Sequence, residues 1–513
     1  MTLPRDVTRD VTLPRDAPRH ATTPRDVTRD VTLPRDVTLP RETPRWDRLG
    51  PATAGRLEEA AYGILGRTGV EIPVPAALDL LRHAGAAVDG SRARIPERLV
   101  RWALETTPKE VTLHDRDGRP ALRLVGRNHF FGTGSDCLYV LDHRTGERRR
   151  ATVADLREGL ALADSLPNID FLMSMFLPAD VDQTLADRHQ AAELLCRTHK
   201  PIVLVTYDLA GMLDGLEMAE VVAGGRAAHA ERPQLGVYIN VTRGLLFNED
   251  SVHKLLSCAD RGIPALWIPV TSGGTTGPIT LAGTIAINTA GILAGVVIAQ
   301  LAREGAPVVV PAFGGDSLDL RTMVDPYAGP EPKGVAASLA HRWGLPMFSL
   351  GAGSDAKIVD EQSAAEAGMT MLADALAGGH LIHDCGYLES GLTGSLVQLA
   401  ICDELAGWIN ALVRPVDVSD EALALDLVEA HGVDGSYLET DHTFTHYRER
   451  WYPTLIDRRG YEAWRVGGAT TMAQRAADRV EELLASRAPI PLPPDVESAV
   501  RAVVDRVQAA AGL

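Results

Sequence analysis

The chain has 513 residues, 45% of them apolar and 23% charged, with 51 Lys and Arg against 68 Asp and Glu. This composition fits a soluble globular protein with a substantial core. The formal charge of -17 argues against a broad nucleic-acid-binding surface, which needs clustered basic residues.

Residues 1–50 stand apart. Pro-Arg-Asp recurs at 4–6, 14–16, 24–26 and 34–36, a ten-residue period rich in proline and poor in apolar side chains. Such a segment predicts a disordered head, and it lacks the apolar stretch of a signal peptide. The body that follows carries 41 basic and 60 acidic groups, so it is more acidic than the whole.

From about residue 51 the pattern turns helical. Helices are predicted at Arg56–Thr68, Ala76–Ala84 and Pro96–Thr106, the last two opened by prolines, with an extended piece at Glu110–Asp115. Residues 51–120 are therefore read as a helical N-terminal segment.

The rhythm then changes. Short apolar, β-branched runs occur at Phe171–Phe176, Ile202–Tyr207, Gly236–Val241, Ala265–Val270, Val308–Pro311, Pro346–Leu350 and Leu381–Cys385, with a further strand or hairpin within Asn128–Val140. Helical stretches separate them at Gln190–Arg197, Asp214–His229, Ser251–Arg261, Leu281–Arg303, Gly334–Arg342 and Asp360–Ala377. Strands this apolar are buried on both faces, and repeated βα units predict an α/β fold of the (β/α)8 TIM-barrel type over residues 121–415. No glycine-rich dinucleotide loop follows the first strand, which disfavours a doubly wound sheet. Leu281–Ala302 is apolar enough to raise a membrane question, but Thr284, Asn288, Thr289 and Gln300 interrupt it, and a packed helix is expected. Residues 416–513 read as a helical C-terminal extension, with helices at Glu421–Ala430, Thr471–Ser486 and Pro494–Ala511 and a linker at Pro489–Pro494.

In a barrel, chemistry gathers where strands end. Those positions hold glycine-rich loops at Thr271–Gly277, Phe313–Asp316 and Gly351–Asp355, none of which has the Lys-Ser/Thr ending of a phosphate loop. They also mix aromatic and acidic residues. Tyr207, Phe313 and Tyr387 could surround a cation that cannot donate hydrogen bonds, with Asp208, Asp316, Asp355 and Glu389 near by. His380 with His383 and His442 with His446 have pair spacings, but neither pair has a clear third and fourth ligand, so no metal is expected. His129 is a candidate for the barrel mouth. Five dispersed cysteines without a C-x-x-C spacing indicate neither a disulfide scaffold nor a zinc ribbon, so a reducing cytoplasm is expected. No G-x-S-x-G nucleophile elbow occurs.

Several motifs are more specific. G-T-G-S-D-C-L-Y-V-L-D at 132–142, G-A-G-S-D-A-K-I-V-D-E-Q at 351–362, A-G-G-H-L-I-H-D-C-G-Y-L-E-S-G at 377–391 and D-H-T-F-T-H-Y-R-E-R-W-Y-P at 441–453 resemble the trimethylamine methyltransferase (MttB-like) family, over roughly residues 50–486. The resemblance implies a TIM-barrel enzyme that transfers a methyl group from a methylated amine to the Co(I) centre of a separate corrinoid protein. Trimethylamine-using members carry pyrrolysine; this chain has none, and so resembles the branch acting on quaternary amines such as glycine betaine.

On that reading Tyr207, Phe313 and Tyr387 hold the ammonium group, while Asp316, Asp355 and Glu389 shape the cationic end. Asn240, Arg243 or the Ser272–Gly274 loop (Ser272, Gly273, Gly274) would meet a substrate carboxylate. No tightly bound cofactor is expected, because the chain lacks the D-x-H-x-x-G corrinoid-binding motif. A small corrinoid protein is the expected partner, with neither nucleic acid nor membrane, and a homo-oligomer is compatible. Two alternatives remain open: a betaine-binding protein without catalysis, and a barrel lyase using Lys357 as a Schiff base.

Overall fold

The computed structural model describes residues 44–486 and 491–512. The repeat expected to be disordered lies almost wholly outside the described residues, as do Pro489 and Ile490 of the Pro489–Pro494 linker.

The protein has a mixed α/β fold around a curled sheet of seven strands in parallel register. These are β1 (Phe130–Thr133), β2 (Ile202–Val205), β3 (Leu235–Val241), β4 (Ala265–Pro269), β5 (Val308–Pro311), β6 (Met347–Leu350) and β7 (Leu381–Cys385). Their order is β1-β7-β6-β5-β4-β3-β2, so each strand after β2 adds beside its predecessor and β7 meets β1.

The sheet shows seven of the eight strands expected. Phe171–Phe176 forms isolated bridges instead of a ladder: Phe171 pairs with Gly132 of β1, Leu172 with Ile202 of β2 and Phe176 with Cys137, all in parallel. The extended run ends at Met175, whose φ of +59° is a left-handed conformation that breaks strand geometry.

The expected helices are present with shifted ends. Asp214–His229 is two helices, Leu209–Ala223 and Arg226–Glu231, separated by Gly224 and Gly225 at φ +82° and +133°. Glu421–Ala430 is likewise split, at Ala424. Val153–Ser165 and Leu396–Leu412 are helices that the sequence reading did not place.

The inside of the curl is a core of Phe130, Phe171, Met173, Val203, Leu266, Ile268, Val309, Phe348 and Leu381. Val111, Leu113, Leu122 and Leu124 join this core from the hairpin Val111–His114/Pro120–Leu124. This hairpin is the extended piece expected near residue 110. It inserts its apolar face where the strands begin, which closes that end and leaves the other for a site.

Leu281–Ala302 is buried over 78% of its apolar window, as a core helix would be. Two of its glycines permit close seating: Gly291 lies against the Gly244 carbonyl, and Gly295 lies against the Trp267 ring. The helices Pro51–Arg67, Pro75–His83 and Glu97–Thr106 pack onto it. Glu58 further ties the N-terminal segment to the helix Val335–Trp343, accepting from Arg342 Nε at 2.9 Å and Trp343 Nε1 at 2.8 Å. The last helices fold back along the sheet's outer layer. Met472–Ser486 lies on Leu396–Leu412, and Pro494–Ala511 lies on Ala186–Arg197 and Leu209–Ala223.

Candidate functional site

A cavity of about 590 Å3 opens where the strands end. Its lining includes Tyr207 after β2, Tyr238 and Asn240 on β3, Tyr327 after β5, His383 and Asp384 on β7, and Tyr387 just beyond. Ser135 and Asp136, after β1, complete one wall, and Lys254 lies on another.

Strand alternation explains part of this set. On β3, Val237, Ile239 and Val241 are buried against the helices, whereas Tyr238 and Asn240 point the other way, into the cavity. On β7, Leu381 and His383 face inward and Ile382 faces out. Alternation alone would turn Asp384 outward too. It does not, because Asp384 has φ +79° and the ladder with β1 shifts register between Ile382 and Cys385. Asp136 shares this conformation at φ +64°. Left-handed non-glycine residues are unfavourable, and their concentration at a cavity mouth marks a functional constraint.

The floor is aromatic. Phe348 stacks on His383 with ring centroids 4.0 Å apart, and its edge meets Tyr238 at 5.7 Å and Phe313 at 6.3 Å. Tyr327 and Tyr387 stand 6.2 Å apart on the wall, and the Tyr387 hydroxyl donates to the Ser135 carbonyl.

Two glycines make the wall thin enough. A Cβ on Gly134 would overlap Tyr387 and the Asp384 carboxylate, and one on Gly353 would fall 2.6 Å from the Tyr327 ring.

Burial sets the charge state of the acids. Asp384 is 1% exposed, its Oδ2 has no hydrogen-bond partner, and desolvation pushes its carboxyl well above the ordinary range, opposed by Lys333. Asp136 is raised by the same cause, though Gln190 Nε2 donates to it at 2.8 Å. His383 is depressed to about 3 by burial. Its Nδ1–H donates to the Ser349 carbonyl at 2.7 Å, so the neutral ring presents Nε2 as an acceptor. Burial thus holds the His383 imidazole neutral and favours the protonated form of the Asp384 carboxyl.

The residues singled out from sequence separate into three groups. Tyr207, Asn240 and Tyr387 line the cavity. Phe313 belongs to the floor beneath it, 6.1 Å from His383. Asp355 acts at one remove: its carboxylate accepts from Tyr327 N at 2.9 Å and Ser390 Oγ at 2.7 Å, fixing two residues of the lining.

Others lie elsewhere. Asp208 caps the helix Leu209–Ala223 and meets Arg188 at 3.1 Å. Glu389 is held by Arg148 at 2.7 Å and Thr393, and anchors a ribbon outside the lining. Asp316 has its carboxyl raised by burial, but its side chain is not among the lining groups; its carbonyl accepts from Gly273 N at 2.8 Å. Gly273 and Gly274 form a turn closed onto Gly277, and Ser272 Oγ donates to Asp325, so this loop satisfies itself. Arg243 is exposed outside the cavity.

His129 is corrected most clearly. It precedes β1 and is fully buried at the opposite end of the sheet, with Nε2 3.1 Å from Asn410 Oδ1. Lys357, the Schiff-base alternative, is exposed and donates to the Asp355 carbonyl at 2.6 Å, away from the lining.

The sequence reading did not assign Tyr238, Tyr327, Asp136, Asp384 or Lys254 to the site. Two signals were available: Tyr238 and Asn240 alternate with Val237, Ile239 and Val241, and His383-Asp384 places two titratable residues inside a buried strand. Tyr327 and Lys254 reach the site by tertiary packing alone. Lys254 is buried on the helix Glu249–Arg261, where it donates to the Thr206 carbonyl at 2.6 Å, and its amine is depressed by burial. Among the described residues, no group of three or more His, Cys, Asp and Glu side chains could hold a metal ion.

The chain is similar to named methyltransferases along most of its length. It is 30% identical over 473 residues to the trimethylamine methyltransferase MttB of Desulfitobacterium hafniense, covering 90% of this chain and 95% of that one. It is 29% identical over 469 residues to a glycine betaine methyltransferase of another strain of that organism, covering 90% and 97%. Among solved structures, the Methanosarcina barkeri monomethylamine methyltransferase (MtmB) has a TM-score of 0.44 at 14% identity, covering 84% of this chain and 92% of that one. The family model described as trimethylamine methyltransferase (MTTB) matches residues 17–512, and the chain belongs to that family.

Proposed function

We propose that this protein removes a methyl group from a quaternary ammonium compound bearing a carboxylate, such as glycine betaine, and delivers it to a separate corrinoid protein. The carrying observation is the cavity itself: tyrosine faces from Tyr238, Tyr327 and Tyr387 around the buried Asp384 carboxyl, whose Oδ2 has no hydrogen-bond partner. A quaternary ammonium has no N–H to donate, so ring faces and a carboxylate are what can hold it, at about 0.5–2 kcal/mol per ring.

The far wall suits the other end of such a substrate. Lys254, Asn240 and Asn248 offer donors there, in place of the expected Arg243 and Ser272–Gly274 loop. Asp355 positions Tyr327 and Ser390, and burial excludes water from the ammonium end. Desolvating a cation beside fixed rings orients its methyl group and leaves the neutral amine as the product. The corrinoid, when docked, supplies the Co(I) nucleophile that takes the methyl while the C–N electron pair stays on nitrogen.

The surface around the mouth fits a docking partner. Val270, Ile279, Leu320, Met323, Val324, Ile358 and Leu392 are exposed, and all lie in loops that leave the ends of strands β4 to β7. An apolar rim of this kind is what a protein interface requires. In the same reading, the Phe171 and Leu172 bridges serve as the eighth strand that closes the barrel beneath the mouth.

The test is demethylation of a panel of quaternary amines with a reduced corrinoid protein. Formation of methylcorrinoid with glycine betaine and its relatives is expected. Binding of these compounds without methyl transfer to demonstrably reduced cobalt would favour the binding-protein reading instead.

A further inference from the structure

Lys333 ends the connection from β5 to the helix Val335–Trp343, the same connection that carries Phe313 and Tyr327. Its side chain is buried, at 8% exposure. The ammonium donates to the carbonyl of Leu350, the last residue of β6. Leu350 is the ladder partner of His383 on β7, and Asp384 comes next in the chain. Ser349, just before Leu350, accepts the Nδ1–H of His383. Lys333 therefore sits one strand away from two groups of the cavity lining without joining the lining itself.

A lysine is rarely buried unless a carboxylate pairs with it. Asp374, on the helix Glu361–Ala377, has its Oδ2 3.9 Å from the ammonium, too far for a hydrogen bond. Burial raises the Asp374 carboxyl to about 6, with Lys333 opposing. Asp316, after β5, is likewise raised by burial and opposed by Lys333. Asp384 is the third acid under this charge: desolvation raises it, and Lys333 opposes. Burial and Lys333 both disfavour a charged His383. Tyr238, Tyr327, Tyr387, Cys137 and Cys385 also feel Asp384, but burial pushes their hydroxyls and thiols up, so they stay neutral.

One ammonium thus serves three acids and is fully paired with none. Taking it out of water costs more than such loose pairing returns, so stability does not account for it. We infer that Lys333 is a positioning residue of the cavity, a fixed buried ammonium that stabilises the Asp384 carboxylate when a substrate cation enters. Asp384 belongs to the lining and Lys333 does not, so attraction by the nearer carboxylate outweighs repulsion by the lysine. The role in substrate binding rests on the reading of the cavity as an ammonium site; the effect on Asp384 itself does not.

The experiment is an infrared pH titration of the ligand-free full chain, with the Asp384 carboxyl band assigned by its loss in Asp384→Asn. Lys333→Met should move the Asp384 midpoint up by about 1–3 pH units, the range for loss of a nearby opposite charge, and Lys333→Gln should do the same. Lys333→Arg should leave it near the wild-type value. In the wild type, nitrogen-15 labelling should show the Lys333 amine protonated at neutral pH. An unmoved midpoint, an arginine variant that behaves like the methionine one, or a neutral wild-type amine would overturn the inference. Titration with tetramethylammonium then reads the site: Lys333→Met should weaken binding at neutral pH and restore it at higher pH, and in the Asp384→Asn background it should not weaken binding. Weakening that persists in that background would make Lys333 a structural residue and overturn its role. A wild type that binds no tetramethylammonium at any pH would refute the ammonium site, while the ligand-free titration still decides on Lys333.

Discussion

His383 and Asp384 are consecutive on β7 yet both face the cavity, with Nε2 of the histidine 3.4 Å from Oδ1 of the aspartate. The histidine is held neutral by burial and the aspartate has its carboxyl raised, so neither carries a full charge before ligand arrives. A cation placed beside Asp384 favours the carboxylate and expels its proton. Binding of a quaternary amine should therefore release a proton, and affinity should rise with pH up to the raised carboxyl value, by at most about tenfold per pH unit. Calorimetry in buffers of different ionisation heat measures the proton directly. Asp384→Asn should abolish the release and weaken binding by about 10- to 100-fold, the range for a charged partner. A wild type whose binding is independent of pH would remove Asp384 from this role.

Tyr327 tests the ring wall separately. Replacing it by Leu keeps an apolar side chain of smaller area but removes the π face, and should weaken binding of the cation by about 3- to 30-fold. A neutral isostere, with carbon in place of the quaternary nitrogen, should be far less affected. Equal losses for both ligands would mean that Tyr327 acts through shape alone.

Gly134 tests the thinness of the same wall. A methyl group there would overlap Tyr387 and the Asp384 carboxylate. Gly134→Ala should displace both and reduce amine binding at least tenfold while the fold stays cooperative, since overpacking of this kind typically costs about 1–3 kcal/mol. Unchanged binding, measured by titration of the purified variant, would mean that the wall yields.

Lys254 addresses the substrate's other end. Lys254→Met should raise the dissociation constant of glycine betaine by about tenfold, in line with a lost charged hydrogen bond. Choline, which lacks the carboxylate, should bind the variant as it binds the wild type. Parallel loss for both compounds would assign the lysine to structure.

Stability should also depend on pH in a way that can be traced to one buried acid. Burial raises the Asp403 carboxyl to about 6, although it accepts from Asn168 N at 2.7 Å. A raised acid stabilises the fold fully below its unfolded value near 4, and that contribution is lost as pH climbs through 6. The loss is of order 2–3 kcal/mol for a shift of this size. Urea unfolding at pH 5 and pH 8 should show Asp403→Asn losing less stability between the two than the wild type does. Identical differences would rule the residue out as a source of the dependence.

Much of the architecture was legible because its signals are local. Val308–Pro311 is apolar on both faces and Leu381–Cys385 is buried throughout, and the strands appear where those runs predict them. Phe171–Phe176 makes parallel bridges without a continuous ladder, because apolarity does not report φ and Met175 adopts a left-handed backbone. The site was harder to read. Tyr207, Asn240 and Tyr387 sit near strand ends, the place where a barrel invites attention, and all three line the cavity. His129 resembles them by motif but precedes its strand, so it is carried to the opposite end. Asp384 enters the cavity only through its unusual φ, and Tyr327 only through the carboxylate of Asp355, and neither relationship is written in the spacing of residues.

The helix Leu281–Ala302 has a bearing on how the chain unfolds. With Gly291 and Gly295 seated against Gly244 and Trp267, and the N-terminal helices packed on it, one apolar rod is shared between two regions. Trp267 Nε1 donates to the Gly291 carbonyl at 3.1 Å, locking the rod to β4. Removing residues 51–106 would strip the cover from that rod and expose its apolar flank to water. The N-terminal helices are thus not a detachable module: they and the sheet should melt in a single transition, and the two regions can vary in sequence only together.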